Sequence, residues 1–143
     1  MIRRARLEDV DAIAELYERS LATLTFLPVL HTLEEHRGWF RRVIDEQVVW
    51  VYEQEGAIVG FAALGVDMLN YLYLEPHAFG LGIGTALLDE VKRHRPDGFR
   101  FWVFQQNERA RRFYESRGCR LVELTDGSHN EEKTPDALYE WLP

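Results

Sequence analysis

The stretch HAFGLGIGTALL, residues 77–88, places glycines at three alternate positions and then continues as an apolar helical pattern. At Gly80, Gly82 and Gly84 the backbone can adopt dihedral angles closed to other residues and can approach a ligand closely. The helix that follows presents free N–H groups and the positive end of its dipole at the same place. This combination is typical of a phosphate or pyrophosphate site, although plain turns also contain such glycines.

Two better-known phosphate-binding loops do not fit this spacing. A dinucleotide fingerprint that starts at Gly80 needs glycine at position 85, and one that starts at Gly82 needs it at position 87; these positions hold threonine and leucine. A P-loop needs Gly-Lys followed by Ser or Thr, whereas Gly84 is followed by Thr85. The sequence therefore favours neither a nicotinamide cofactor nor ATP.

The rest of the chain alternates between strand and helix patterns. Apolar residues at 3-to-4 spacing predict an amphipathic helix over 8–24, and Thr32 with Glu35 predicts a capping box for a second helix ending near 45. The other predicted elements are helices from the glycines to 95 and over 107–118, and strands over 2–6, 48–54, 57–66, 68–74, 99–104, 119–125 and 137–143. The order βααβββαβαββ predicts an α+β (mixed α/β) fold with a mixed central sheet flanked by helices, in one domain over 1–143.

Charge and composition exclude several classes of protein. The 143 residues carry a formal net charge of −7, which argues against general nucleic-acid binding. The segment 92–120 nevertheless holds nine basic and three acidic residues, which suits either an anion site or solvated helix faces. No apolar run is long enough for a membrane span or a signal peptide, and the single cysteine, Cys119, fits a strand start in a reducing compartment. We therefore expect a cytoplasmic protein without a membrane partner.

A second informative stretch is NERARRFYESRG, residues 107–118. On a helix, Asn107, Ala110, Arg111 and Tyr114 lie on one side, and Phe113 points toward the core. Taken alone, Asn107 is typical of a helix cap and Tyr114 of core packing. The two stretches together favour a ligand site.

The two stretches resemble motifs of the GNAT superfamily of acyl-CoA-dependent N-acetyltransferases. The first family motif has a strand, then Gln or Arg, two residues, and Gly-x-Gly or Gly-x-Ala opening a helix; here LYLEP precedes FGLGIG. The second has Asn, Ala and Phe-Tyr-Glu before a glycine, as in Asn107, Ala110, Phe113, Tyr114 and Gly118. The element order agrees with the family along essentially the whole chain. This chain departs from the pattern at Phe79, where Gln or Arg is usual, and at Leu81, where Arg is frequent.

The resemblance implies that acetyl-CoA binds where two parallel strands, 68–74 and 99–104, splay apart. Backbone groups of Leu72 and Leu74 would pair with the pantetheine arm, and the amides of 80–85 would bind the pyrophosphate. Asn107 would touch the pantetheine or phosphopantetheine region. The implied cofactor-binding residues are Leu72, Tyr73, Leu74, Phe79, Gly80, Leu81, Gly82, Ile83, Gly84, Thr85, Asn107, Ala110 and Phe113.

The resemblance also implies roles in catalysis. Tyr114 matches the family's general acid, which protonates the thiolate of coenzyme A, and a backbone N–H near Leu74 would stabilise the oxyanion. The base or amine-binding group is open among four residues near the expected open end of the sheet: His31, Glu35, Asp67 and Glu75. Metal-ligand spacing is absent, so no metal is expected.

The acceptor is less defined by the sequence. The family builds its acceptor site from the segment between the first two helices and the later loops, here 26–40 and 125–136, and the acids of the second loop would attract a cationic amine. A small-molecule primary amine is the first interpretation, and a protein N-terminus or lysine is the second. A non-catalytic acyl-CoA-binding module and a homodimer also stay open.

Overall fold

The computed structural model describes residues 1–143, and its element order is the predicted βααβββαβαββ. The strands are β1 (Ile2–Arg4), β2 (Val48–Gln54), β3 (Ala57–Leu64), β4 (Leu69–Leu74), β5 (Phe99–Phe104), β6 (Cys119–Leu124) and β7 (Asp136–Trp141). The helices are α1 (Val10–Ala22), α2 (Leu33–Glu46), α3 (Ile83–His94) and α4 (Glu108–Glu115). Short 3-10 turns precede α1 and follow β4. The prediction of the elements is confirmed, with differences only at their ends.

Local signals explain where the helices begin. The predicted capping box opens α2: Thr32 Oγ1 accepts a hydrogen bond from Glu35 N at 3.2 Å, and Glu35 Oε1 accepts one from Thr32 N at 3.0 Å. Asn107 caps α4, and Gly82, with φ of 83°, stands at the start of α3. The longest helix has 14 residues, and none has the length and apolar character needed to cross a membrane.

The strands form two antiparallel sheets, β1-β2-β3-β4 and β5-β7-β6. One parallel bridge, Met68 with Arg100, joins them, so the parallel part of the predicted mixed sheet is reduced to this point. Beyond it, Asn70 is an extra residue in β4, because Ala63 and Leu64 pair with Tyr71 and Leu69. Such a bulge bends a strand and increases its twist. The two sheets therefore meet at one end of β4 and β5 and diverge toward the other, which is the predicted splay.

Helices cover both faces of the first sheet. Phe61 and Ala63 of β3 belong to a buried cluster with α1 and α2, whereas Ala62 and Leu64 belong to another with α3. Since side chains alternate along a strand, β3 is apolar on both faces and its sequence reads as a continuous apolar run. The second cluster also contains Phe101 and Tyr139 and so joins the two sheets.

Candidate active site

The gap between β4 and β5 exposes unpaired backbone of β4. Glu75 N donates to Val59 O at 2.8 Å, and Tyr73 lies opposite Phe61 in the β3 register. Because hydrogen-bonding direction alternates along an antiparallel strand, Leu72 and Leu74 direct their N–H and C=O groups away from β3, into the gap. An extended ligand with amide groups can pair there like an added strand.

The three glycines of the opening stretch have two different roles. Gly80 and Gly82 have φ of 80° and 83°, and a Cβ at either would meet no atom within 4 Å. Their backbone therefore faces open space at the start of α3. A Cβ at Gly84 would lie 3.2 Å from the ring of Phe113, so Gly84 lets α3 pack closely against α4. The cradle for an anion is thus formed by the first two glycines and the start of the helix.

These features enclose a first cavity of about 1130 Å³, here called the cofactor cavity. Leu81 and Ile83 do not line it: Leu81 is 61% exposed, and Ile83 is 2% exposed within the core beneath α3. The other predicted cofactor residues all line it, namely Leu72, Tyr73, Leu74, Phe79, Gly80, Gly82, Gly84, Thr85, Asn107, Ala110 and Phe113.

Helix α4 places an amide and a phenol on this cavity. Asn107 Oδ1 accepts a hydrogen bond from Ala110 N at 3.2 Å, so its side chain caps the helix. Tyr114 lines the cavity and is 7% exposed, with its ring centroid 4.2 Å from that of Phe101. Phe113, expected to point into the core, is half-buried on the cavity wall, and Tyr114 is the more deeply buried of the two.

The surroundings of Tyr114 keep its hydroxyl protonated. The hydroxyl has no hydrogen-bond partner in the protein and is not sealed from the cavity. Burial, and then the neighbouring Tyr73, raise the pKa of Tyr114 above its usual value of 10. The group therefore remains a neutral proton donor at pH values where an ordinary tyrosine would ionise.

A second cavity of about 1020 Å³, here called the acceptor cavity, lies between α1, α2, β4 and the 24–33 segment. Its floor includes three tyrosines: the ring centroid of Tyr17 lies 4.9 Å from that of Tyr73 and 5.7 Å from that of Tyr71. Leu24, Thr25 and Tyr73 line both cavities, so the two meet at these residues.

The 125–136 loop contributes two carboxylates to the acceptor cavity. Glu131 Oε1 lies 2.6 Å from His31 Nε2, whereas the carboxylate of Glu132 forms no ion pair or hydrogen bond with the protein. Burial dominates the raised pKa values of Tyr71 and Tyr73, and the charge of Glu132 raises both further, which places this carboxylate beside the tyrosine floor. Glu132 therefore offers an unpaired carboxylate to a cavity that is also lined by aromatic rings.

Two other acids of this loop stabilise the loop itself. Asp136 is 4% exposed and accepts hydrogen bonds from Thr125, His129 and Asn130. Asp126 accepts a hydrogen bond from Ser128 N at 2.9 Å. The predicted acidic mouth thus consists of the glutamates at 131 and 132, and the two aspartates have structural roles.

The structure separates the four candidate bases. Of these, His31 alone lines the acceptor cavity; burial lowers its pKa, but hydrogen bonds to Glu131 and Glu35 outweigh this and leave the pKa above 6.5. Glu35 caps α2 and is exposed. Asp67 lies at the closed end of the gap, where its carbonyl accepts a hydrogen bond from Arg100 N at 3.1 Å.

Glu75, the fourth candidate, is bound to Arg19. Its two carboxylate oxygens accept hydrogen bonds from Arg19 at 2.8 and 2.6 Å, the residue is 8% exposed, and it lines neither cavity. No local sequence signal indicated this pair, because its members are 56 positions apart. Glu75 therefore fixes the end of β4 to α1.

We expect Glu75→Gln to affect stability and not proton transfer. Losing the charged pair should lower the free energy of unfolding by about 1 kcal/mol, measured by urea denaturation, and leave the pH profile of turnover unchanged. The control Glu8→Gln removes an ion pair between two exposed side chains and should cost less than ~0.5 kcal/mol. A shifted pH profile for Glu75→Gln would contradict the structural role.

Comparison with known proteins agrees with this geometry. The family model described as "Acetyltransferase (GNAT) domain" matches residues 45–119, from the end of α2 to the start of β6. The chain belongs to the GNAT acetyltransferase family. As a GNAT protein it is an acetyl-CoA-dependent acyltransferase, and the matched segment contains the whole gap and glycine loop.

Three relatives of this GNAT chain illustrate the range of similarity. It is 27% identical to the peptidyl-lysine N-acetyltransferase YiaC of Escherichia coli (strain K12), over 99% of this chain and 96% of that protein. It is 30% identical to the peptidyl-lysine N-acetyltransferase YjaB of the same organism, over 85% of this chain and 82% of that protein. The solution structure of apo-YjaB superposes on this chain with a TM-score of 0.80. PaiA N-acetyltransferase from Thermoplasma acidophilum, solved in complex with coenzyme A, shares the fold. Its TM-score is 0.77 at 22% sequence identity, over 100% of this chain and 98% of that chain.

Proposed function

We propose that this protein transfers the acetyl group of acetyl-CoA to a cationic primary alkylamine by direct attack. One observation carries the proposal: the cofactor and acceptor cavities meet at Tyr73, and Tyr114, whose hydroxyl is unpaired, lines the cofactor cavity together with it. A thioester held in one cavity and an amine held in the other would face each other at this junction. Holding two reactants in this way removes much of the entropic barrier to their reaction.

The residues present fit coenzyme A. The free backbone groups of Leu72 and Leu74 suit the amides of pantetheine, and the open cradle at Gly80 and Gly82 suits a pyrophosphate. When bound, acetyl-CoA supplies an activated thioester. The side chain of Asn107 faces the same cavity, but its oxygen already caps α4, so its remaining N–H groups are the ones free for a ligand.

Tyr114 is the general acid of the proposal. Its hydroxyl would donate a proton to the sulfur of coenzyme A as the C–S bond breaks. The amine nitrogen, which forms the new C–N bond, would lose its own proton to solvent, and solvent would return a proton to the Tyr114 oxygen. Burial raises the pKa of Tyr114, so the hydroxyl keeps its proton until a strongly basic group such as a thiolate forms beside it. The N–H of Leu74 points into the gap and stabilises the developing oxyanion.

The acceptor cavity supports a cationic amine. Glu132 provides an unpaired carboxylate, and Tyr17, Tyr71 and Tyr73 provide rings and hydroxyl oxygens beside it. An ammonium group is attracted by both kinds of group. Because only the neutral amine attacks, the rate should rise with pH until the amine is deprotonated.

We expect Glu132→Gln to raise the KM for a cationic amine about fivefold with little change in kcat, since one partly exposed charge contributes about 1 kcal/mol. Steady-state kinetics at fixed acetyl-CoA measure this. Glu34→Gln is the matched control, because Glu34 pairs with Arg37 on the outer face of α2 and lines neither cavity. Equal KM values for the two variants would exclude Glu132 from amine binding.

The acceptor amine could belong to either of two kinds of substrate, a small molecule or a protein lysine. A small molecule is supported by the cavity volume of about 1020 Å³, which suits a whole ligand. A protein lysine is supported by the names of YiaC and YjaB and by the exposed apolar residues Val29 and Leu30 at the rim of the cavity. Thiol release with matched diamines and lysine peptides separates them: turnover with diamines alone supports the first, and turnover with peptides alone supports the second.

A further inference from the structure

Three arginines line the cofactor cavity, and they differ in what they contact. Arg117 Nε donates to Thr85 Oγ1 at 2.8 Å, and Arg117 Nη1 donates to the Phe113 carbonyl at 3.1 Å. Arg112 lies 3.8 Å from a carboxylate oxygen of Glu108. The guanidinium of Arg109 forms no hydrogen bond or ion pair with the protein. Arg109 is therefore the arginine whose donors are all available to a ligand.

Arg109 is held at the glycine loop by an aromatic ring. Its guanidinium carbon lies 4.7 Å from the ring centroid of Phe79, the residue directly before Gly80. Both side chains line the cofactor cavity, so the contact joins α4 to the loop across its wall. A guanidinium stacked on a ring keeps its five N–H donors in its own plane, free for a phosphate.

This contact bears on the departure of the sequence from the GNAT pattern. Phe79 stands where Gln or Arg is usual, so the loop lacks a polar or cationic side chain at this position. The other departure, Leu81, is 61% exposed and does not line the cavity. A cation is nevertheless present beside Phe79, supplied by the opposite wall.

We infer that Phe79 and Arg109 form a pair in which the ring positions the guanidinium to bind a phosphate group of coenzyme A. The inference rests on the cofactor assigned to this cavity and does not depend on the identity of the amine. The shared chemistry is a phosphate ester or anhydride, which the pyrophosphate and the 3′-phosphate both provide. Arg109, which belongs to α4, thereby brings to the glycine loop the positive charge that the loop's own side chains lack.

Titration calorimetry of free coenzyme A tests the arginine without any need for turnover. Arg109→Ala should weaken binding about tenfold, as expected for a lost charge-assisted hydrogen bond, and should reduce the salt dependence of affinity. Arg93→Ala is the control: it removes the same charge from α3, at an exposed residue paired with Glu90 and outside the cavity. Equal affinities for these two variants would overturn the inference.

Dephospho-coenzyme A identifies which phosphate is bound. A loss of affinity for coenzyme A alone assigns Arg109 to the 3′-phosphate, and an equal loss for both ligands assigns it to the pyrophosphate. Either result supports the phosphate contact. If the wild-type protein bound no coenzyme A at millimolar concentration, the assignment of coenzyme A to this cavity would be wrong. This result differs from equal affinities of the two arginine variants, so failure of the cofactor assignment and failure of the Arg109 contact are distinguishable.

A double-mutant cycle tests the pairing. Phe79→Leu keeps an apolar side chain but removes the ring, and it should weaken binding of coenzyme A severalfold when Arg109 is present. In the Arg109→Ala background the same change should have no further effect. A loss of equal size in both backgrounds would show that Phe79 acts independently and would overturn the pair. Melting temperatures of all variants verify that they are folded.

Discussion

Tyr114→Phe is expected to lower kcat about 100-fold or more and to leave the affinity for acetyl-CoA unchanged. The change removes one hydroxyl, which has no partner in the protein, and keeps the ring packed against Phe101. Loss of a general acid typically lowers the rate of a reaction by a factor of about 10² to 10⁴. Steady-state kinetics of thiol release, together with calorimetry of acetyl-CoA binding, separate the two effects.

The pH profile adds a second readout for the same residue. Burial and Tyr73 raise the pKa of Tyr114, so its proton is retained at pH values where an ordinary tyrosine would lose it. Turnover of the wild type should therefore show no fall from tyrosine ionisation up to about pH 10. Tyr52→Phe, a hydroxyl deletion in β2 outside both cavities, is the control. Full activity of Tyr114→Phe at every pH would remove Tyr114 from the mechanism.

Gly82→Val is expected to weaken the affinity for acetyl-CoA about 100-fold. Gly82 has φ of 83° and starts α3, and its missing side chain leaves open the space that we assign to the pyrophosphate. A β-branched residue would fill this space and would resist the left-handed backbone at a cost of about 1–3 kcal/mol. Calorimetry and thermal unfolding measure the two effects separately.

Gly56→Val is the matched control for this change. Gly56 has φ of 80° in the turn between β2 and β3, a Cβ there would also meet nothing within 4 Å, and it lines neither cavity. The backbone cost in stability should be similar, so any difference in affinity comes from the site. Equal affinities for the two variants would mean that the glycine loop does not bind the phosphates.

Local sequence signals predicted the fold well. The capping box of Thr32 and Glu35 and the strand over 99–104 depend on residues within a few positions of one another, and the structure has both as predicted. The open backbone at Gly80 and Gly82 was also readable, because alternating glycines before a helix have a direct conformational meaning.

The acceptor cavity could not be predicted in the same way. Its floor joins Tyr17 of α1, Tyr71 and Tyr73 of β4, and Glu132 of a late loop, which come together only through tertiary packing. Two sequence signals pointed to parts of it: the alternation of Tyr71 and Tyr73, which places both rings on one face of β4, and the acids of the 125–136 loop.

Tertiary packing also changed the interpretation of two residues that local signals had marked. Gly84 is required by the ring of Phe113, a contact between α3 and α4 that the glycine pattern alone does not distinguish from ligand binding. Phe79, an apparent defect in the loop, lies under the guanidinium of Arg109. Each of these contacts links residues about 30 positions apart, beyond the reach of periodicity.

Acetyl transfer itself is the most direct test of the proposed function. Wild-type protein is mixed with acetyl-CoA and a panel of diamines and lysine peptides, and free thiol and acetylated amine are measured together by absorbance and mass spectrometry. We expect thiol release that requires an amine, equals the amount of acetylated product and falls about 100-fold in Tyr114→Phe. Binding of acetyl-CoA without amine-dependent thiol release from any acceptor would contradict the proposed function.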